Sequence, residues 1–170
     1  MKKLIFLAFI AMCCSTIFAQ DNMVSAEDLQ QLEGNWRGTL SYYDGKKAKK
    51  DLVLKTELIS EVKKGVLVMK FKYYDQNGEF TRKTEKLVIL NNGTNVKDNA
   101  MWSVKDVERE GGMKLALLAD TNANEKAMGK TISIKNGVLI IEKHEILGGN
   151  DNTNAVYSLN FEKLEHDLYR

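Results

Sequence analysis

Histidine with its carboxylate neighbours is the first place to look for chemistry, and the chain has only two histidines. Glu142, His144 and Glu145 fall on one β-patterned run, where period-two alternation puts Glu142 and His144 on a shared face. Two ligands on one face supply half of a tetrahedral zinc site. No third ligand is identifiable, so the run reads as a strand end turning polar near a rim. His166, between Glu165 and Asp167, reads as a solvated tail. Asp120, Asn122 and Asn124 have the spacing that opens a calcium loop. However, Glu125 stands where that loop needs glycine, and Thr131 where it needs a bidentate glutamate. Asn150-Asp151-Asn152-Thr153-Asn154 is a turn-rich loop. No metal site is assigned.

Covalent catalysis has equally little to work with. There is no Gly-x-Ser-x-Gly elbow, no serine or cysteine paired with a histidine and an acid, and no glycine-rich phosphate loop after a strand. The carboxylates of Glu27 and Asp28 open a predicted helix, where the helix dipole accounts for them on an exposed first turn. The chain therefore reads as a non-enzyme without a cofactor. Lys46-Lys47-Ala48-Lys49-Lys50, next to Tyr42 and Tyr43, reads as a basic hairpin tip that keeps a sheet edge soluble.

Residues 1–19 pair a basic start at Lys2 and Lys3 with an apolar run from Leu4 to Met12 and end on Ala19. Those are the three parts of a secretory signal, and the run is shorter than the roughly 20 residues that span a bilayer. The expectation is an exported protein, periplasmic or extracellular. The alternative is a lipid anchor on Cys13, which lacks the usual small residue before it, since Met12 precedes it. Both cysteines of the chain, Cys13 and Cys14, fall in this segment. Cleavage would also remove Lys2 and Lys3 from 25 basic residues, leaving as many basic as the 23 acidic ones. A neutral chain of that kind carries no electrostatic footprint for nucleic acid. It has no disulfides to staple it either, so its stability must come from packing.

One helix is predicted over Ser25–Glu33, with Ser25 as N-cap, Asp28 completing a capping box, and Gly34 at the C-terminal cap. About nine strands follow, at Trp36–Tyr43, Asp51–Ser60, Gly65–Tyr74, Glu79–Leu90, Met101–Glu108, Met113–Ala119, Ala127–Ile134, Val138–Leu147 and Ala155–Leu164. Turn signals such as Gln76-Asn77-Gly78 and Asn136-Gly137 separate them, and Asn-Gly between β-rich runs is a strong hairpin signal. Tight turns throughout give an up-and-down meander, and closing it removes long open edges. The expected fold is an all-β, antiparallel up-and-down barrel of about 8–10 strands with a short N-terminal helix; a β-sandwich is the alternative. Alternation puts Trp36, Gly38, Leu40 and Tyr42 on one face of the first strand, and Leu67, Met69, Phe71 and Tyr73 on one face of the third. On the eighth run, Val138, Ile140 and Ile146 share the face of Glu142 and His144.

The opening Leu32-Glu33-Gly34-Asn35-Trp36-Arg37-Gly38 resembles that of lipocalin-like, or calycin, barrels of the small exported bacterial type. In that family a short helical turn precedes a Gly-x-Trp motif whose tryptophan plugs the closed end, places that Gly34 and Trp36 would take. The resemblance implies three parts: a signal over 1–19, a helical segment over 20–33, and a lipocalin-like barrel domain over 34–170. The family's second motif is incomplete here, because Thr153-Asn154-Ala155-Val156-Tyr157 has asparagine for aspartate. No arginine sits on a late strand to stack on the tryptophan. Haem barrels of the nitrobindin type open similarly and ligate iron through a histidine near the C-terminus, for which only His144 and His166 are present. The implied function is binding or carrying a small, mainly hydrophobic molecule in the barrel. Trp36 would form the floor, and Leu40, Tyr42, Leu54, Met69, Phe71 and Trp102 the wall. The alternative is an envelope interaction or inhibitor protein with a packed interior, acting through its loops.

Overall fold

In the computed structural model, residues 22–44, 49–119, 126–147 and 153–164 are described; of 44 and 49–51, the backbone alone. The leader with Cys13 and Cys14, the Lys46–Lys50 tip, the Asp120–Asn124 run, most of the Asn150–Asn154 loop and His166 lie wholly or largely outside the described residues. The elements are α1 (Ala26–Gln30), β1 (Gly34–Asp44), β2 (Lys49–Lys63), β3 (Val66–Tyr74), β4 (Phe80–Leu90), β5 (Asn95–Lys97), β6 (Met101–Glu108), β7 (Met113–Ala119), β8 (Met128–Lys135), β9 (Val138–Ile146) and β10 (Thr153–Lys163). All strand pairs are antiparallel between sequence neighbours, and β1 pairs with β10, so the sheet closes as a ten-stranded barrel. Closure excludes the sandwich. The strand missed by sequence is β5, whose three residues are too short to show an alternation.

Turn chemistry sets the registers. Asn136 and Gly137 take φ of 51° and 75°, the left-handed pair that a two-residue hairpin requires and that asparagine and glycine accept. Gly38 is needed for another reason: a Cβ there would lie 1.8 Å from the Asn160 carbonyl oxygen of β10. The closing β1–β10 seam has no room for a side chain at that point.

Register also settles which face is inside. Trp36 pairs with Leu58, Leu58 with Phe71, Leu115 with Ile132, and Ile132 with Ile141. These residues are at most 2% exposed. On β9 the expectation is reversed. Leu139 and Ile141 point inward and are buried, while Val138 is 38% exposed. The run Val138-Leu139-Ile140-Ile141 is apolar on both faces, so alternation alone does not choose; pairing with Phe161 and Leu159 of β10 does.

The N-terminal segment closes one end. Ser25 and Asp28 form the capping box, as expected, but α1 is a single turn capped at Gln31, and Gly34 already begins β1. Leu29 and Leu32 are buried beneath the barrel, and the Val24 N–H donates to the Gly93 carbonyl at 3.0 Å. Asp28 is not on an exposed turn: its side chain is 3% exposed. Arg109, after β6, holds it through Nε and Nη2 at 2.8 and 2.7 Å, and Nη2 also reaches the Met23 carbonyl. Burial opposes the charge on Asp28, yet the Arg109 and Ser25 hydrogen bonds keep its carboxyl below the ordinary value.

Breaking a buried ion pair from one side costs about 3–5 kcal/mol. Arg109→Leu is expected to lower urea-unfolding stability toward the lower end of that range, because Arg109 is partly exposed. A carboxyl with a depressed folded pKa contributes stability above its unfolded pKa and loses it as pH falls through the folded one. The gap between variant and parent should therefore shrink on acidification below about pH 4, as followed by denaturation at stepped pH.

Candidate functional site

The two ends of the barrel interior differ. Toward α1, inward-facing residues pack without a gap in polarity. Trp36 donates from Nε1 to Ser60 Oγ at 2.9 Å, and Ser60 Oγ bonds the Leu32 carbonyl, tying floor, β2 and helical segment together. Lys163 of β10 sets its Nζ 5.5 Å from the Trp36 ring centroid. A late-strand cation does stack on this tryptophan; it is a lysine rather than an arginine. Phe71 lies 5.7 Å from Tyr73 and 6.4 Å from Phe161, ring to ring.

Toward the opposite end the same inward faces become polar and accessible. Tyr42 and Leu52, paired across β1 and β2 on the inward face, are 41% and 40% exposed. Register brings Lys83 and Glu85 of β4 inward opposite Phe71 and Met69. It brings Lys130 of β8 inward beside Leu117 of β7 and Lys143 of β9.

A charged cluster results. Lys130 is 2% exposed, with Nζ 2.7 Å from Asp98 Oδ2 and 4.0 Å from Glu85 Oε2. Asp98 Oδ1 accepts from the Trp102 indole and the Ala100 N–H, each at 2.8 Å. Lys83 Nζ meets Glu85 Oε1 at 2.7 Å. Burial opposes ionisation of Asp98, but the Lys130 charge and hydrogen bonds from Lys130, Trp102 and Ala100 hold its carboxyl low. The hydrogen bond to Glu85 raises Lys83. The charged forms of Asp98 within the barrel and of Lys83 at its half-exposed mouth are thus favoured.

Two tyrosines face this cluster. Burial, then the Glu85 charge, pushes the Tyr73 phenol well above its usual range and raises Tyr157 to about 12. Tyr42 meets Tyr157 edge-on at 6.4 Å. The Tyr73 and Tyr157 phenols therefore remain neutral hydrogen-bonding groups at ordinary pH. The constellation can recognise a polar group by exchanging an internal ion pair or hydrogen bond for one with a ligand.

All seven residues expected to line the lumen lie on the inward face. Leu40, Tyr42, Leu54 and Trp102 border the polar cluster or the accessible end. Trp36, Met69 and Phe71 belong to the packed core, at most 2% exposed. Lys83, Glu85, Asp98, Lys130, Tyr73 and Tyr157 were not named as site residues from sequence. The signal was parity: Lys83 and Glu85 alternate with Leu87, and Lys130 with Ile132, so they share the core-facing register. Glu142 and His144 do share a face, the outer one, with Glu145 on the other. A Cβ on Gly129 would lie 2.1 Å from His144 Nε2, so the imidazole rests over Gly129 outside the barrel and is not directed at a haem in the lumen. Among the described residues no group of three metal ligands occurs.

No family model and no curated protein sequence matches the chain. Among solved structures it is similar to Rv2717c from M. tuberculosis, at TM-score 0.56 and 12% identity, covering 84% of this chain and 99% of that one. The barrel fold is shared. A mutant of the fluorescent protein UnaG aligns over 82% of this chain and 99% of its own at 16% identity, with TM-score 0.44.

Removing Lys130 leaves the Asp98 carboxylate buried without its cation. Lys130→Met is expected to cost about 3–5 kcal/mol in urea unfolding, and the Asp98→Asn/Lys130→Met double variant to recover most of that loss. A phenol with a raised folded pKa contributes stability below the unfolded value near 10 and loses it as pH rises through the folded one. Stability should thus fall between about pH 10 and 12, less steeply in Tyr157→Phe.

Proposed function

We propose that this chain is an exported, lipocalin-like binding protein that holds a small amphipathic molecule in the accessible half of its barrel, and that it works by binding rather than by chemistry. The observation that carries the reading is the change of character along the lumen. A sealed apolar floor at Trp36 gives way to Leu40, Leu54, Tyr73, Tyr157 and the Lys83–Glu85–Asp98–Lys130 cluster. A buried ion cluster is weak support for stability, since well-packed apolar residues of similar volume often do as well. Glu85, Asp98 and Lys130 retained in a small lumen, with Lys83 at its mouth and two neutral phenols beside them, are better matched to recognition of a ligand's polar group. Ligand sites combine an apolar wall with a few placed polar groups, and a small barrel has room for one small ligand. The sequence expectation of a mainly hydrophobic cargo is thereby refined to an apolar body with one polar end. The secretory pattern of residues 1–19 supports release outside the cytoplasm.

Native mass spectrometry of protein purified from its own host, before and after organic extraction, tests this. A bound small molecule that extraction removes is expected, together with a change in tryptophan fluorescence that Trp102→Phe abolishes and Trp36→Phe leaves. Protein that carries no extractable molecule from its host would sink the carrier reading.

A further inference from the structure

The outer surface of β1–β4 carries a second feature, unrelated to the lumen. Two cross-strand rows stand out from the sheet: Arg37, Glu57, Lys72 and Arg82 in one, and Asn35, Ile59, Lys70 and Thr84 in the other. The row between them, Trp36, Leu58, Phe71 and Lys83, turns its side chains inward. A trench of about 200 Å³ is left between the outer rows, with Leu164 at its β10 end. Four adjacent strands make it about 14 Å long.

Its charge is one-sided. Arg37, Lys70, Lys72 and Arg82 line it with one carboxylate, Glu57, on which Arg37 (3.8 Å), Lys72 (3.7 Å) and the Tyr74 hydroxyl (2.9 Å) converge; Lys70 also meets Glu61, just beyond the lining, at 3.1 Å. Ile59, Leu164 and the aliphatic stems of the cations give it an apolar lining. At one rim Phe80 is 46% exposed, with the Arg82 guanidinium 4.8 Å from its ring. On a chain whose charges balance in total beyond residue 19, this is a concentrated basic patch built on rigid strands.

We propose that the trench docks an extended acidic segment of a partner protein, about four residues long, with carboxylates on Arg37, Lys70, Lys72 and Arg82 and an apolar side chain against Ile59 and Leu164. Complementary charge and shape choose the occupant. A flat anionic bilayer cannot reach a recessed floor between two rows of side chains. A nucleic-acid backbone would carry its phosphates past Glu57 at the centre of the basic row. An extended peptide can space its carboxylates around that residue.

Fluorescein-labelled hexapeptides that alternate acidic residues with leucine, titrated by fluorescence anisotropy against the intact protein, test the proposal. At low salt at least one is expected to bind tighter than about 100 μM, with affinity falling as salt rises and no binding of lysine-for-acid counterparts. Arg37→Glu/Arg82→Glu should weaken binding at least tenfold, and Arg37→Gln/Arg82→Gln by less; both sites are exposed, and circular dichroism checks that the barrel is intact. The idea fails if no acidic peptide binds tighter than about 1 mM, or if the charge-reversed variant binds equally well. It also fails if the protein sediments with phosphatidylglycerol vesicles through these residues while ignoring every peptide. Ligand release from the lumen on extraction should be unchanged in these variants, so the two sites are separable.

Discussion

Trp36 can occupy the closed end of the barrel only because its one polar atom is met there. Its indole N–H donates to Ser60, whose hydroxyl bonds the Leu32 carbonyl, so one serine joins the floor residue, a wall strand and the N-terminal segment. An unmet buried N–H would carry its desolvation penalty instead. Lys163 lies over the ring on the next strand around, and Gly38, two residues on, allows β10 to approach β1. The tryptophan thus sits where closure of the sheet, its seal and its cap meet. Leu29, Leu32 and the Asp28–Arg109 pair build outward from that point.

A floor packed this way lets the other half of the lumen depart from core composition. Toward α1 the inward positions, apart from Trp36 and the Ser60 that meets its indole, are leucine, isoleucine, methionine, phenylalanine and valine, and these supply the burial that a barrel with no cysteine among its described residues needs. Toward the open end the same positions on β4, β8 and β9 hold lysine and glutamate. Such charges cannot be left single in a low-dielectric interior. Lys130, 2% exposed, is accordingly matched by Asp98 and Glu85, while Lys83, at the more open mouth, is matched by Glu85. Asp98 gains its place from the turn after β5, which also presents the Ala100 N–H. The shortness of β5 brings that turn to the depth of Trp102 and Lys130.

How much of this could be read from the residues depended on whether one face of a strand differed from the other. On β1 and β3 it did, and the inward sets Trp36–Tyr42 and Leu67–Tyr73 were legible, as were the hairpins with Asn-Gly or Lys-Gly turns. On β9 both faces are apolar, so only the partner strands determine the side. Lys83, Glu85 and Lys130 were illegible for the opposite reason. A charged side chain on a strand normally marks the wet face, and here it marks a polar lumen. The Arg109–Asp28 and Lys163–Trp36 contacts join positions 81 and 127 residues apart, and no local pattern links residues at that range.

Strict alternation also separates the lumen from the outer trench. Phe71 and Lys83 contribute backbone to the trench and side chains to the interior, whereas Lys72 and Arg82, their neighbours in sequence, do the reverse. Adjacent residues therefore serve surfaces on opposite sides of one sheet, and a charge change at Arg82 need not disturb Lys83. The sheet still couples the two in position, because Trp36, Leu58 and Phe71 fix the spacing of the outer rows by packing beneath them. Truncation of the floor tryptophan to a small side chain would loosen both surfaces together, while loss of any one outer cation should loosen only the trench.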